Sequence, residues 1–298
     1  MSGMNKLAGR RSLWCVFVLA SLWMPAASAA LPASPRRFVD NLDERCYLIQ
    51  GQPALGLTLN LTFLDPVLVK QGLKAGSVVL QEPQKLCVPV KKNGIAPPPD
   101  TLPFVQFLDW KCYGIKGEPL KLSLELTQLN QTIAKVLGPT VKVAVGEAQQ
   151  LCVPVVKNNV VAPPAVKSFV QFLDVECFGV TSNQQIAGKP ITLAHLNPMF
   201  AGRTPENLKF PTPGPNQLCT PVAKENQMPP SGILPFIRYS DVLCYPMGGI
   251  NLDSLLTLTQ LDPVMIAKKV APEKVSVGLA RSFCVPVAKN GDLPPGAP

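Results

Sequence analysis

The sequence has 298 residues, 47% of them hydrophobic and 16% charged, with 28 Lys and Arg against 19 Asp and Glu and a formal net charge of +9. That apolar content excludes a disordered chain, and basic residues scattered rather than clustered argue against a nucleic-acid-binding surface. Nine cysteines without a Cys-x-x-Cys, and a single histidine, His195, leave no closely spaced ligand set for a sulfur-bound zinc ion, so no metal or cofactor is implied.

Residues 1–29 read as a secretory signal peptide. Lys6, Arg10 and Arg11 form a positive start, Leu13 to Met24 is a short apolar run, and Ala27-Ser28-Ala29 supplies the small-residue cleavage site. Twelve apolar residues are too few to span a bilayer, which needs about 20, so no transmembrane segment is expected after its removal. Arg10-Arg11 hints at twin-arginine export, but the residues that follow fit ordinary secretion better. Removing the three basic residues leaves 25 Lys and Arg against 19 Asp and Glu, a net charge of +6. Cys15 departs with the peptide. The eight remaining cysteines, an even number in an exported chain, read as a disulfide framework in a periplasmic or secreted protein.

Those eight cysteines stand in phase. Cys46, Cys112, Cys177 and Cys244 are 66, 65 and 67 residues apart, and Cys87, Cys152, Cys219 and Cys284 are 65, 67 and 65 apart. A fixed period means one structural unit copied four times. After a short N-terminal segment (30–37), the repeats run 38–103, 104–168, 169–235 and 236–298, the last with a short Pro-rich tail.

Taken along the chain, each repeat predicts the same elements. An aromatic strand leads into the first cysteine, from Phe38-Val39 to Cys46-Tyr47, Phe104-Val105 to Cys112-Tyr113, Phe169-Val170 to Cys177-Phe178 and Phe236-Ile237 to Cys244-Tyr245. An alternating stretch follows, clearest from Leu120 to Leu126, and its period of two marks a half-buried strand. It ends at Asp65-Pro66, Asn130, Asn197-Pro198 or Asp262-Pro263, where the Asp or Asn side chain caps a turn or short helix. A third short strand (77–80, 141–145, 208–210, 275–277) precedes Leu-Cys-Val-Pro-Val, which reads Leu218-Cys219-Thr220-Pro221-Val222 in the third repeat and begins with Phe283 in the fourth.

The interval from the capping residue to the second cysteine is 22 residues in all four repeats, and from the second cysteine to the next first cysteine it is 25 at all three junctions. Only the stretch between first cysteine and cap varies, at 19, 18, 20 and 18 residues, which places the length drift in one exposed loop near Gly51, Gly117, Asn183 and Gly249. The junctions are rich in proline (Ala96 to Pro99, Ala162 to Pro164, Met228 to Pro230), yet a free linker has no reason to keep its length. The spacing predicts stiff polyproline-II-like spacers and a rigid array.

Cys-Tyr or Cys-Phe after a short strand, then Leu-Cys-x-Pro-Val-x-Lys about 40 residues later, resembles a tandem-repeat domain of unknown function found in exported bacterial and archaeal proteins. The resemblance covers most of Phe38 to Asn290 and is weakest in the third repeat, with Thr220 in the Val position. It implies an all-β exported module and brings no known activity.

Two cysteine pairings respect the period. Either each repeat closes on itself (Cys46–Cys87, Cys112–Cys152, Cys177–Cys219, Cys244–Cys284), or neighbours join (Cys87–Cys112, Cys152–Cys177, Cys219–Cys244) and Cys46 meets Cys284 in a ring. The sequence holds four whole units, which favours the first pairing, and a bridge closing a loop of about 40 residues adds ~3–4 kcal/mol to a marginal 65-residue unit.

The candidate site residues are the recurring polar ones. Asp43, Asp109, Asp174 and Asp241 lie three before the first cysteine, and Lys92, Lys157, Lys224 and Lys289 lie five after the second. They read as structural ion pairs or caps, or as a row of identical binding points along an array. His195 aligns with Phe63, Gln128 and Gln260, a variable strand position with no nucleophile or carboxylate set beside it. Asp40, Asp43 and Glu44 cluster in the first repeat only and make a poor calcium site. With Trp110 the one tryptophan outside the signal, an aromatic carbohydrate platform is not expected.

The expected fold is therefore all-β, with four disulfide-stapled, sandwich-like units rigidly packed, or alternatively a four-bladed β-propeller. The expected function is a non-catalytic exported repeat protein, structural or binding a protein or ligand of the cell envelope. The alternatives are an enzyme with a single site at a repeat junction, or an inhibitor or chaperone-like partner. Copy-equivalent residues on one continuous surface would mark a binding array; one pocket with converging polar groups and no counterpart elsewhere would mark an enzyme.

Overall fold

The computed structural model describes residues 30–51, 53–210 and 214–298; the expected signal peptide lies outside them. The first repeat supplies α1 (Pro35–Val39), β1 (Glu44–Gln50), β2 (Thr58–Phe63), α2 (Pro66–Lys70) and β3 (Gly76–Lys92). The second supplies α3 (Leu102–Val105), β4 (Trp110–Lys116), β5 (Leu122–Gln128), α4 (Gln131–Leu137) and β6 (Thr140–Lys157). The third gives α5 (Pro164–Val170), β7 (Asp174–Thr181), β8 (Pro190–His195), β9 (Glu206–Lys209) and β10 (Gln217–Lys224). The fourth gives α6 (Leu234–Ile237), β11 (Val242–Pro246), β12 (Asn251–Gln260), α7 (Pro263–Ala267) and β13 (Glu273–Lys289).

These elements are all-β in class, but they are neither four sandwich-like units nor propeller blades. Eight strands hydrogen-bond antiparallel in the order β1-β3-β4-β6-β7-β10-β11-β13, and β13 pairs with β1 to close a barrel. Each repeat contributes two neighbouring wall strands, too few to enclose a core alone, so each strand that carries a first cysteine also pairs with the long strand of the repeat before it.

The outer strand of each repeat crosses the molecule. β2 lies against its own β3 and against β10 of the third repeat, and β5 against β6 and β13 of the fourth. In the other direction, β8 reaches β3 of the first repeat and β12 reaches β6 of the second. Opposite repeats are thereby interlocked.

The Leu-Cys-Val-Pro-Val run follows from this arrangement. Side chains alternate across a strand, and here both faces are buried. Cys46, Cys87, Cys112, Cys152, Cys177, Cys219, Cys244 and Cys284 share one core inside the barrel. Leu151, Val153, Leu218, Val222, Val285 and Val287 face a second core, under the outer strands. The proline has no N–H to donate, but its carbonyl is used: Pro89, Pro154, Pro221 and Pro286 accept from Leu196, Leu261, Leu64 and Leu129 of crossing repeats at 2.9–3.2 Å.

Two local expectations need correction. Phe38-Val39 and its copies are not strand residues: they sit in α1, α3, α5 and α6, each with a proline in the first turn, where its fixed φ favours the helix. These helices have four to seven residues; α3, α5 and α6 follow the proline-rich segments 96–98, 161–163 and 227–230, which carry no helix or strand, and the Phe and Val or Ile side chains of all four pack into the cysteine core. The third short strand is also not separate: it runs into the cysteine strand to give 17, 18 and 17 residues in β3, β6 and β13. Only in the third repeat is it interrupted, between β9 and β10.

Candidate functional site

The structure joins Cys46 to Cys87, Cys112 to Cys152, Cys177 to Cys219 and Cys244 to Cys284. The alternative pairs are neighbours around the same ring: Cys46–Cys284 and Cys87–Cys112 have Sγ atoms 3.9 Å apart and Cys152–Cys177 3.8 Å. The sulfur ring crosses the lumen. Against it stack Phe38, Phe104, Phe169 and Phe236, with Phe169 at 4.8, 5.0 and 5.6 Å from the other three ring centroids. Beyond the sulfurs the lumen turns polar. Gln217 Nε2 donates to Gln149 and Gln150 at 3.0 and 3.1 Å, and Lys85 Nζ donates to Gln217 at 3.5 Å. Burial lowers the Lys85 ammonium to about 8. The position two before each second cysteine is polar in every repeat (Lys85, Gln150, Gln217, Ser282), a signal in the sequence that cysteine spacing alone overlooks.

Each recurring Asp meets the recurring Lys of its own repeat: Asp43 with Lys92, Asp109 with Lys157, Asp174 with Lys224 and Asp241 with Lys289. The lysines are 1–5% exposed, so they form no row of surface binding points. Three of the four ion pairs are touched by the capping residue of the following repeat, counted cyclically. Asn197 Nδ2 donates to Asp109 at 3.0 Å, Asp262 lies 2.9 Å from Lys224, and Asp65 lies 3.2 Å from Lys289. In the remaining one Asn130 reaches the Asp40 carbonyl at 3.2 Å, beside the Asp43–Lys92 pair. The Oδ1 of each cap holds its own turn, accepting from Leu68, Thr132, Met199 or Met265.

Two carboxyls facing one lysine cannot both ionise freely. Burial first, and the neighbouring carboxylate second, raise Asp174 and Asp241 well above the usual range. Burial also raises Asp109, against the pull of Lys157, and lowers Lys157.

The residue after each lysine is a clamp that sequence reading missed. Asn93, Asn158, Glu225 and Asn290 take positive φ of 47–50°. Each N–H donates to a crossing outer strand, and each side-chain oxygen accepts an N–H from that strand: Thr192, Thr257, Asn60 and Glu125. Asn tolerates this left-handed conformation and reads the strand with its side chain.

Asp40 pairs with Arg36 and Asp43 with Lys92, while Glu44 is fully buried; the first-repeat acidic cluster is dispersed. Burial raises Glu44 far above a normal carboxyl and Glu176 to about 8, and neither carboxyl group has a hydrogen-bond partner among the described residues. Among the described residues, no three His, Cys, Asp or Glu side chains are placed to share a metal ion.

His195 is buried. Its Nε2 lies 3.2 Å from the Tyr47 hydroxyl, which donates to Glu206 at 3.1 Å, and Glu206 pairs with Arg45 at 3.2 Å. This resembles a catalytic relay until the repeats are superposed by strand register. The equivalents of His195 also meet an aromatic residue of the opposite repeat: Gln260 donates to Tyr113 at 3.0 Å, Gln128 to Tyr245 at 2.9 Å, and Phe63 packs on Phe178 at 6.2 Å. Glu206 faces Leu193 as Glu273 faces Leu258, and Glu273 pairs with Lys111, the equivalent of Arg45. Burial lowers His195 to about 4, so it is a neutral strand residue holding a tyrosine.

What has no counterpart is a groove of about 760 Å³ beside Glu206, lined by Gly202 to Leu208 and Gly249 to Asn251. It lies where repeats three and four meet. A Cβ on Gly249 would collide with the Arg45 and Glu206 side chains beneath it.

Comparison of the chain with known protein families, with curated proteins and with solved structures finds no match.

Proposed function

We propose that this chain is a non-catalytic exported barrel with a structural or binding role in the cell envelope or outside the cell, built from the tandem-repeat module it resembles. One observation carries the reading: the polar residues that recur between repeats are spent inside the molecule. The Asp–Lys pairs, caps and clamps tie neighbouring and opposite repeats together; Asp43, Lys92 and Asn130 line a cavity of only about 10 Å³, too small for a ligand, and Asn93 borders one of about 270 Å³ at the crossing of β3 and β8. Four disulfides belong to an oxidising compartment, which supports export. No helix among the described residues is long and apolar enough to cross a membrane. The exposed faces of β2 and β5 carry Thr58, Asn60, Thr62, Ser123 and Glu125, a polar surface unlike the apolar belt of a membrane barrel.

A second reading, an enzyme with one site at the junction of repeats three and four, is favoured by the groove beside Glu206 and His195. Complementation of a deletion strain separates the two. A His195→Gln variant, which installs the residue of the second and fourth repeats, is expected to fold and to restore function fully. A folded but inactive His195→Gln protein would return the enzyme reading to first place.

A further inference from the structure

At three of the four junctions the ladder between repeats runs well past the cysteines: β3 pairs with β4 out to Val79–Lys116, β6 with β7 to Ala144–Thr181, and β13 with β1 to Ser276–Gln50, in each case short of the start of the long strand. At the junction of repeats three and four the ladder stops at Gln217–Cys244. β11 ends at Pro246, and the strand that should continue the seal is set apart as β9. The unsealed stretch is the groove.

β9 is consequently an edge strand, paired with β8 alone. Its orientation follows from its neighbours. The N–H and C=O of Thr192 are taken by Asn93 on the β3 side. Ile191 and Leu193 therefore face β9 and meet Leu208 and Glu206. Backbone groups alternate along a strand, so those of Asn207 and Lys209 point away from β8, with Asn207 lining the groove. Across it, the Ile250 N–H is satisfied by the Glu206 carboxylate at 3.2 Å, where a strand carbonyl would otherwise accept. Leu208 and Ile250 offer apolar contact and Arg203 lines the groove, while exposed Lys209 and Arg281 line the pockets that adjoin it at Asn207 and Asn251, the latter shared with the exposed carboxylate of Asp253.

We propose that the outer edge of β9 is a strand-addition site for an extended peptide that alternates apolar and acidic side chains, seated against Gly249 to Asn251. Main-chain bonds to Asn207 and Lys209 supply affinity, and the cationic rim selects acidic residues. The inference rests on the non-catalytic binding reading and gives it a partner of defined chemistry.

The test uses the whole oxidised protein and two capped pentapeptides, one alternating Glu with Val and one alternating Lys with Val. The acidic peptide is expected to bind by titration calorimetry and to slow hydrogen exchange at Asn207 and Lys209; the basic one is not. Asn207→Pro removes one outward N–H while leaving the β8 ladder intact, and is expected to weaken binding about fivefold to tenfold, the value of one backbone hydrogen bond. Asn207→Ala keeps that N–H and should stay within about twofold. Should Asn207→Pro fail to fold, N-methylating the single peptide residue placed opposite Asn207 removes the reciprocal bond, from the peptide N–H to a β9 carbonyl, with a loss of similar size expected. Equal binding of both peptides, no protection at β9, or a dimer that Asn207→Pro converts to monomer would each overturn the proposal. If the peptide fails to bind while His195→Gln still complements, only the strand-addition site falls and the non-catalytic reading stands.

Discussion

The buried ion pairs differ in how many carboxyls surround the lysine, and that difference makes a quantitative prediction. Lys157 has Asp109 and the neutral Asn197, whereas Lys224 has Asp174 and Asp262. Asp109→Asn strips Lys157 of its one paired carboxylate at a side chain 2% exposed. Breaking a buried pair from one side costs about 3–5 kcal/mol, or roughly 10 °C in Tm for a chain of this size. Lys157 can escape part of that cost by losing its proton. Its folded pKa is already lowered by burial and would fall further, so between that value and the unfolded value of about 10.4 the unfolded state holds more protons. The stability of Asp109→Asn should therefore rise with pH. Asp262→Asn does the reverse: it keeps a capping oxygen for Met265, converts the site to the Asp109–Lys157–Asn197 arrangement, and removes the like charge that helps to raise Asp174. In the native protein the raised Asp174 holds a proton longer than in the unfolded chain, so its contribution is lost as pH climbs from about 3.9 towards the folded value. Asp262→Asn should remain within about 1 kcal/mol of the parent near neutrality and flatten that loss at higher pH. Guanidinium denaturation of the oxidised protein across pH measures both. If Asp109→Asn costs less than about 1 kcal/mol, Lys157 is not an unpaired buried charge and the reasoning fails.

Other consequences are as direct. His195→Gln should change stability by less than about 1 kcal/mol at pH 7, because Gln128 and Gln260 serve the same tyrosine position. It should also remove a loss of up to about 3 kcal/mol that the parent suffers as pH falls from 6.5 towards 4, the window in which only the unfolded histidine takes a proton; an unchanged acid limb in denaturation curves would contradict this. Phe169→Ala, which removes the ring touching three others, should cost about 3–5 kcal/mol and more than Phe104→Ala, as read by calorimetric melting. Replacing Cys112 and Cys152 together by Ala should cost ~3–4 kcal/mol for the 40-residue separation, and non-reducing peptide mapping of the parent should recover Cys112 with Cys152, not with Cys87. Gly249→Ala should destabilise the junction of repeats three and four, since its Cβ meets the Arg45–Glu206 pair; hydrogen exchange at Ile250 reports it.

Much of the repeat was legible in the sequence because it is local. Cysteine phase, the alternation of Leu120 to Leu126 and the capping Asp or Asn residues are properties of short segments, and their chemistry permits few alternatives. The constant intervals of 22 and 25 mark the junctions as packed segments, but constant length does not say against what a segment packs. The short helices at Pro35, Pro103, Pro164 and Pro235 were hidden by aromatic residues that suit strands equally well.

The candidate site was less legible. The clamps Asn93, Asn158, Glu225 and Asn290 and the polar layer at Lys85, Gln150, Gln217 and Ser282 recur in phase, yet polar residues at a strand end read as solvent-facing until their partners are known. The groove depends on a missing ladder, which no residue announces.

The sequence by itself determined that the cysteine pattern recurs four times, that the fold is β in class, where its turns begin and which Asp, Lys and Cys recur. Only the tertiary structure decided that the copies share one closed barrel, that β2 belongs to the third repeat as much as to the first, and that β9 is left with an open edge. Those outcomes rest on strand pairing between residues as far apart as Glu44 and Cys284. Backbone groups are the same at every residue, so a periodic sequence leaves open which copy pairs with which, and closure of the whole sheet settles it.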